Sequence, residues 1–288
     1  MLRTYLPSVV AHTTNEGCEV VVADNGSTDN SLEVLRTEFP SVQTIVLDHN
    51  YGFAEGYNRA IEANGKRLNG DPDYTVLLNS DVETPEGWLT PLLSYMDAHN
   101  DVSAVQPKIR SWKRKEYFEH AGAAGGYLDP LGYPYCRGRR FGRVEKDHGQ
   151  YDSIAMIEWT SGACMCVRTG IYKECGGLDA SFFAHMEEID LCWRMRNRGW
   201  KLACVPDSLV YHLGGGSLSY DNPRKTFLNF RNNLLMIHKN SSHRRIVLTI
   251  RFFLDYVAAL MFLMIGKTGS AKAVIEARRE YRKLKIER

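Results

Sequence analysis

The feature that most constrains this chain is an alternation of short apolar runs, polar turns and stretches of helical periodicity. Residues 18–23 (CEVVVA) read as a buried strand. The turn Asp24-Asn25-Gly26-Ser27-Thr28-Asp29 follows, and its Ser27 or Thr28 would cap a helix carrying Leu32, Leu35 and Phe39 that stops at Pro40. Residues 42–47 are a second strand, and Gly52-Phe53-Ala54-Glu55-Gly56 leads into a helix through Ala60 and Ile61 ended by Gly65. Residues 74–78 are a third strand running into Asn79-Ser80-Asp81. Pro85 opens a helix through Leu92 and Met96, and 102–105 is a further strand. Leu2, Leu6, Val9 and Val10 recur at helical spacing, so the chain opens on a helix. This order predicts an α/β fold with a mostly parallel, doubly wound sheet. Such sheets bind ligands beyond the carboxyl ends of their strands, where Asp24, Asn50 and Asp81 all stand.

The second half is less regular. Residues 111–151 are rich in Gly, Pro, Tyr and basic side chains and read as a long, partly mobile loop region, too long to be idle in a compact domain. Strand character resumes over 154–169 around Gly162. A helix covers 187–198 and closes at Gly199, strands cover 202–205 and 208–212, and helices cover 226–238 and 244–265. Residues 241–288 hold 11 Lys/Arg against 4 Asp/Glu, whereas residues 1–240 hold 25 against 30. The same basic tail contains the most apolar stretch, 252–265. That combination points to an anionic membrane surface, and the stretch is short for a span of about 20 residues. Nothing in this charge pattern calls for nucleic acid. No signal peptide is visible at Met1-Leu2-Arg3. Seven cysteines without a CxxC pair fit a reduced compartment, with Cys164 and Cys166 as buried thiols on one face of a strand.

Several side chains carry candidate chemistry. Asp81 at a strand end suits a hard divalent cation, Mg²⁺ or Mn²⁺, bridging a diphosphate, or else is a plain turn aspartate. Asp24 suits a base or ribose hydrogen bond, an N-capping turn, or both. The two glycines of Asn50-Tyr51-Gly52-Phe53-Ala54-Glu55-Gly56-Tyr57-Asn58 stand at a helix entrance, where backbone can approach a phosphate. Glu187 and Glu188 open a helix, as complements to its dipole or as a general base for an attacking hydroxyl. His212 ends a strand before the run Gly214-Gly215-Gly216-Ser217, within reach of a metal or simply hydrogen-bonded.

In this order, VVVADNGSTDNS, NYGFAEGYNRAI, YTVLLNSDV, WTSGACMCVR, GGLDASFFAHMEEIDLCWRMRNRGW and VYHLGGGS resemble glycosyltransferase family 2, particularly its rhamnosyltransferase-like bacterial members. The resemblance covers about residues 15–220. It implies a GT-A fold and single displacement with inversion. It implies that Asp24, Asn25, Ser27, Asn50, Gly52, Asn58, Asn79, Trp159 and Gly162 hold a nucleotide-diphosphate sugar. Asp81 would be the metal-binding member of a DxD-type element with Asn in first place, and His212 would complete the metal site. Glu187 and Glu188 match a Glu-Asp pair, with Glu188 at the base position. Family members begin with an apolar strand before the first helix, whereas this sequence opens on the helix.

The expected organisation is a glycosyltransferase domain at 1–240, with its nucleotide-binding part to about 110 and its acceptor part at 111–240, and a tail at 241–288. The expected setting is the cytoplasmic face of a membrane, with a glycan or lipid-linked acceptor and room for a homo-oligomer. A non-catalytic nucleotide-sugar binder and a structural subunit of a glycan-assembly complex are the rival readings. A Rossmann dehydrogenase is disfavoured, since no GxGxxG follows a first strand.

Overall fold

The structure, a computed structural model, describes residues 1–15, 17–140, 142–214 and 222–286. Helix α1 (Leu2–His12) lays Leu6 and Val9 against Leu35 of α2 (Ser31–Glu38) and Val22 of β1 (Val21–Asp24). β1 pairs in parallel with β2 (Gln43–Val46) as a two-stranded sheet of its own. Helix α3 (Gly52–Leu68) follows, then β3 (Tyr74–Leu78), β4 (Val82–Glu83), α4 (Thr90–Ala98) and β5 (Val102–Ser111). The hairpins β6 (Gly126–Leu128)–β7 (Pro134–Cys136) and β8 (Arg139–Arg140)–β9 (Arg143–Val144) come next. After them stand β10 (Ala155–Ile157), β11 (Cys164–Arg168), α5 (Thr169–Glu174), α6 (Glu187–Asn197) and β12 (Lys201–His212). Three helices finish the chain: α7 (Pro223–Asn240), α8 (Arg244–Met264) and α9 (Thr268–Ile286).

The α/β alternation is as expected, but the main sheet is mixed. Its order is β10-β12-β5-β11-β3, with β4 pairing β12. β3, β5 and β12 run one way, and β11 inserts antiparallel between β3 and β5. β11 is buried on both faces, so Cys164, Met165, Cys166 and Val167 all lie in the core, and both cysteines are free thiols.

Several sequence expectations shift for local reasons. The α2 cap falls at Asn30 rather than Ser27 or Thr28, and Asp29 Oδ1 accepts the Ser31 N–H at 2.9 Å. The third helix does not end at Gly65. Lys66, Arg67 and Leu68 favour its continuation, and Asn69 closes it in the left-handed region at φ 56°. The helix expected from Pro85 begins at Thr90. Strands 202–205 and 208–212 are one strand, whose register shifts between Val205 and Leu209, across Pro206, which has no N–H to give a ladder.

Residues 111–151 are not a loose loop. Phe118, Ala123 and Ala124 are fully buried. The buried carboxylate of Asp147 takes Lys108 at 2.9 Å, Arg110 Nε at 2.7 Å and the Gly149 N–H at 2.9 Å. The tail, too, is more structured than its basic composition announces. α8 and α9 dock on α7, and Tyr281 enters the main core. The apolar segment is longer than 252–265: α8 has 21 residues and is long and apolar enough to cross a membrane by length and composition.

Candidate functional site

The first half of the site is assembled by strand pairing. β4 pairs with the end of β12, setting His212 opposite Val82, and the Asp81 carbonyl accepts the Leu213 N–H at 3.1 Å. His212 Nε2 thereby lies 3.1 Å from Asp81 Oδ1, with the Asn79 amide nitrogen 3.5 Å away. Behind the ring, Glu119 Oε2 stands 3.8 Å from His212 Nδ1 and accepts the Ala121 N–H at 2.6 Å. All three titratable groups are buried. Burial works against the charged imidazole, but Asp81 and Glu119 outweigh it and raise His212 to about 9. Burial likewise works against the Asp81 carboxylate, yet its hydrogen bond to His212 leaves it below the usual carboxylate range. Once a bound cation displaces the Nε2 proton, Asp81 Oδ1 and His212 Nε2 would offer one carboxylate and one imidazole ligand to Mg²⁺ or Mn²⁺. Among the described residues no cluster of three or more His, Cys, Asp or Glu forms a closed cage. The part of the glycine run from Gly215 to Ser217 lies outside the described residues.

The second half is a strained helix entrance. Phe183, His185 and Met186 have φ of 63°, 70° and 73°, a region costly for residues with a Cβ. The buried Asn232 amide of α7 holds this backbone, donating to the carbonyls of Phe182 (3.0 Å), Ala184 (2.9 Å) and His185 (2.7 Å). Glu187 and Glu188 then open α6. Each has a buried Oε2 without a hydrogen-bond partner. Burial, then the Glu188 charge, pushes Glu187 well above the usual carboxylate range. Burial also raises Glu188, countered by backbone amides that include that of Gly162. Burial raises both carboxyls, so the pair carries one negative charge more readily than two.

The two halves meet at residues 161–163. The Ala163 carbonyl accepts the Asn79 N–H at 3.0 Å. A Cβ on Gly162 would stand 3.4 Å from Phe53 Cζ and 3.7 Å from Glu188 Cδ. The Asp24 loop joins through α3. Asn25 donates to the Gly52 carbonyl at 2.8 Å and accepts the Tyr51 N–H at 3.0 Å. Asn50 accepts the Gly52 N–H at 2.9 Å, and Asp24 accepts the Ser27 N–H at 3.0 Å. Gly52 itself, at φ 78°, leaves the space that the Phe183 ring fills, and the Phe53 N–H donates to the Phe183 carbonyl at 2.9 Å.

Two of the residues singled out in the sequence turn to packing instead. Asn58 clamps the turn before Leu178, accepting Tyr172 Oη at 2.6 Å and the Leu178 N–H at 3.0 Å while donating to its carbonyl at 2.7 Å. Trp159 is buried and donates Nε1–H to the Tyr127 carbonyl at 2.8 Å. Sequence reasoning missed Glu119 and Asn232. Glu119 falls within 111–151, which reads as a loop in the sequence, and its one signal is its place just before the small-residue run AGAAGG. Asn232 looks like an ordinary polar residue midway along a helix.

A sequence model of the family described as Glycosyl transferase family 2 matches residues 1–158. The N-acetylglucosaminyl-diphospho-decaprenol L-rhamnosyltransferase of Mycobacterium tuberculosis is 28% identical over 208 residues, covering 69% of this chain and 67% of its own. The rhamnosyltransferase WbbL of Escherichia coli is 24% identical over 163 residues, covering 56% of this chain and 61% of its own. Among solved structures, GalNAc-T7 with UDP, GalNAc and Mn²⁺ superposes with a TM-score of 0.60 at 15% identity, over 84% of this chain and 45% of its own. The mannosyltransferase PcManGT of Pyrobaculum calidifontis, in complex with GDP-Man and Mn²⁺, gives 0.56 at 13% identity over 97% and 71%. With the family model spanning more than half of its length, and with neighbours of this architecture, the chain belongs to glycosyltransferase family 2 and has the GT-A fold.

Proposed function

We propose that this chain transfers a hexosyl or rhamnosyl-type sugar from a nucleotide-diphosphate donor to a hydroxyl of a glycan or lipid-linked acceptor, with inversion. The observation that carries the reading is that Asn79, two residues before the Asp81 that pairs with His212, and Glu188 both stand against the segment Gly162-Ala163. Asp81 and His212 would hold Mg²⁺ or Mn²⁺, and that ion, when bound, neutralises the diphosphate and stabilises charge on the leaving group. Asp24, Asn25, Ser27, Asn50 and Gly52 shape the edge where base, ribose and phosphates lie, with Asn79 beside the metal pair. Glu188 takes the acceptor hydroxyl proton as that oxygen attacks the anomeric carbon. Its raised proton affinity makes Glu188 a stronger base than an ordinary carboxylate, and a proton on Glu187 would avoid a second buried charge. Relatives named for lipid-linked substrates, together with the basic tail, support work at the cytoplasmic face of a membrane.

Glu188→Gln keeps size and hydrogen bonding but cannot accept the proton. It is expected to lower kcat by about 10²–10⁴-fold with nucleotide-sugar affinity retained, as read by calorimetry beside a turnover assay with Mn²⁺. Retained turnover would remove Glu188 as the base.

A further inference from the structure

An open cleft of about 650 Å³ lies against the β6–β7 hairpin, within the range of small-molecule sites, roughly 300–1,000 Å³. Its floor is aromatic. Tyr127 and Tyr135 stand directly opposite each other across the hairpin, their rings stacked at 5.6 Å and 25°, and Tyr135 is 50% exposed. Its rim is polar and held in place. Arg137 Nε donates to the Ala124 carbonyl at 2.7 Å and its guanidinium lies 5.3 Å from the Tyr151 ring. Arg139 donates to the His120 carbonyl at 2.9 Å, and Glu145 accepts Tyr151 Oη at 3.1 Å. We propose that this cleft binds a pyranose ring of a glycan acceptor, stacked on Tyr127 and Tyr135 and hydrogen-bonded by Arg137, Arg139 and Glu145. The acceptor role rests on the transfer reading above. A pyranose pairs an apolar C–H face with a rim of hydroxyls that both donate and accept, which is what flat phenol rings bordered by guanidinium and carboxylate offer. Glu145 argues against a polyanion, since a carboxylate beside phosphate repels it. The hairpin is also wired to both halves of the catalytic cleft. Tyr127 is tied through Trp159 to the strand leading into Gly162, and Arg139 holds the carbonyl next to Glu119.

The test uses the full chain and ligand-observed saturation-transfer NMR with methyl glycosides of glucose, galactose, N-acetylglucosamine and rhamnose. At least one glycoside is expected to give a signal that Tyr135→Ala and Glu145→Gln each weaken at least about tenfold in affinity, about 1.4 kcal/mol. In turnover, Tyr135→Ala is expected to raise the acceptor KM by a similar factor with little change in kcat. The proposal is overturned if no glycoside binds, if binding persists in both variants, or if uridine and thymidine displace the glycoside from the Tyr135-dependent site. A Tyr135-dependent saccharide signal in a chain that binds no nucleotide-sugar upholds the site and defeats the transfer reading. Turnover indifferent to Tyr135 does the reverse.

Discussion

His212 sits between two carboxylates, Asp81 on Nε2 and Glu119 on Nδ1, and its charge state follows from both. Its proton affinity is raised above the ordinary histidine value, so the charged pairing contributes stability fully below about pH 6.5 and loses it as pH rises through about 9. Glu119→Gln removes one of the two charges and is expected to move the His212 midpoint down toward the ordinary value, followed by the imidazole proton shifts in NMR. A midpoint that stays at about 9 would mean that Asp81 alone sets it. Glu187 has the same linkage sign, but here the form that the fold favours is the neutral one. A buried carboxyl with a raised pKa favours the folded state at low pH and costs stability as pH rises past its unfolded value toward the folded one. Glu187→Gln keeps the neutral form at all pH, so it is expected to raise Tm at pH 7 relative to pH 4 and to retain more turnover than Glu188→Gln. Equal losses in the two variants would contradict the division of labour. The sequence positions Asp81 and His212 at strand ends and Glu188 at a helix start, and the structure finds them there, because periodicity marks such element boundaries. Glu119 is not legible in this way, because its meaning comes only from β12 bringing His212 to it.

The elements that aim these residues depend on contacts between segments far apart in the chain. Met186, Glu187 and Glu188 begin α6 out of a backbone that three non-glycine residues hold at positive φ, and the Asn232 amide on α7 is what fixes it. Asn232→Ala leaves buried carbonyls without a donor. It is expected to cost about 1–3 kcal/mol of stability, read from urea midpoints, and to lower kcat more than it alters donor affinity, because Glu188 loses its aim. An unchanged kcat would show that the strained entrance holds itself. Periodicity revealed the helices and strands of 1–110, where each element buries a simple face. It failed over 111–151, because short strands and bridges there are held by Asp147 accepting from two β5 cations rather than by any apolar pattern. It also failed at Pro206, where one strand carries a bulge.

At the scale of the whole molecule, the tail inverts the usual distribution of polarity. Arg251 and Asp255 of α8 are buried, with Arg251 Nη2 3.3 Å from Asp255 Oδ1, Arg278 of α9 bonded to Asp255 and the Arg251 guanidinium 3.8 Å from the Tyr133 ring. The face turned to solvent carries Ile246, Phe253, Leu260 and Met261, each more than half exposed. In sequence, Arg251 and Asp255 look like an exposed i,i+4 pair, so only the packing shows that the charges point inward. A helix with one side committed to a buried ion network suits lying in a bilayer surface better than crossing it, since crossing would pull that network into hydrocarbon. The exposed Lys272, Arg279, Arg282 and Lys283 of α9 and Arg244 and Arg245 of α8 would then be available to anionic headgroups. The chain is therefore expected to sediment with phosphatidylglycerol-containing vesicles and less with pure phosphatidylcholine. Phe253→Asp with Leu260→Asp is expected to weaken vesicle binding by more than about tenfold, while high salt weakens it in the parent chain by removing the headgroup attraction. If the double variant sediments as well as the parent, the apolar face is not what the membrane holds.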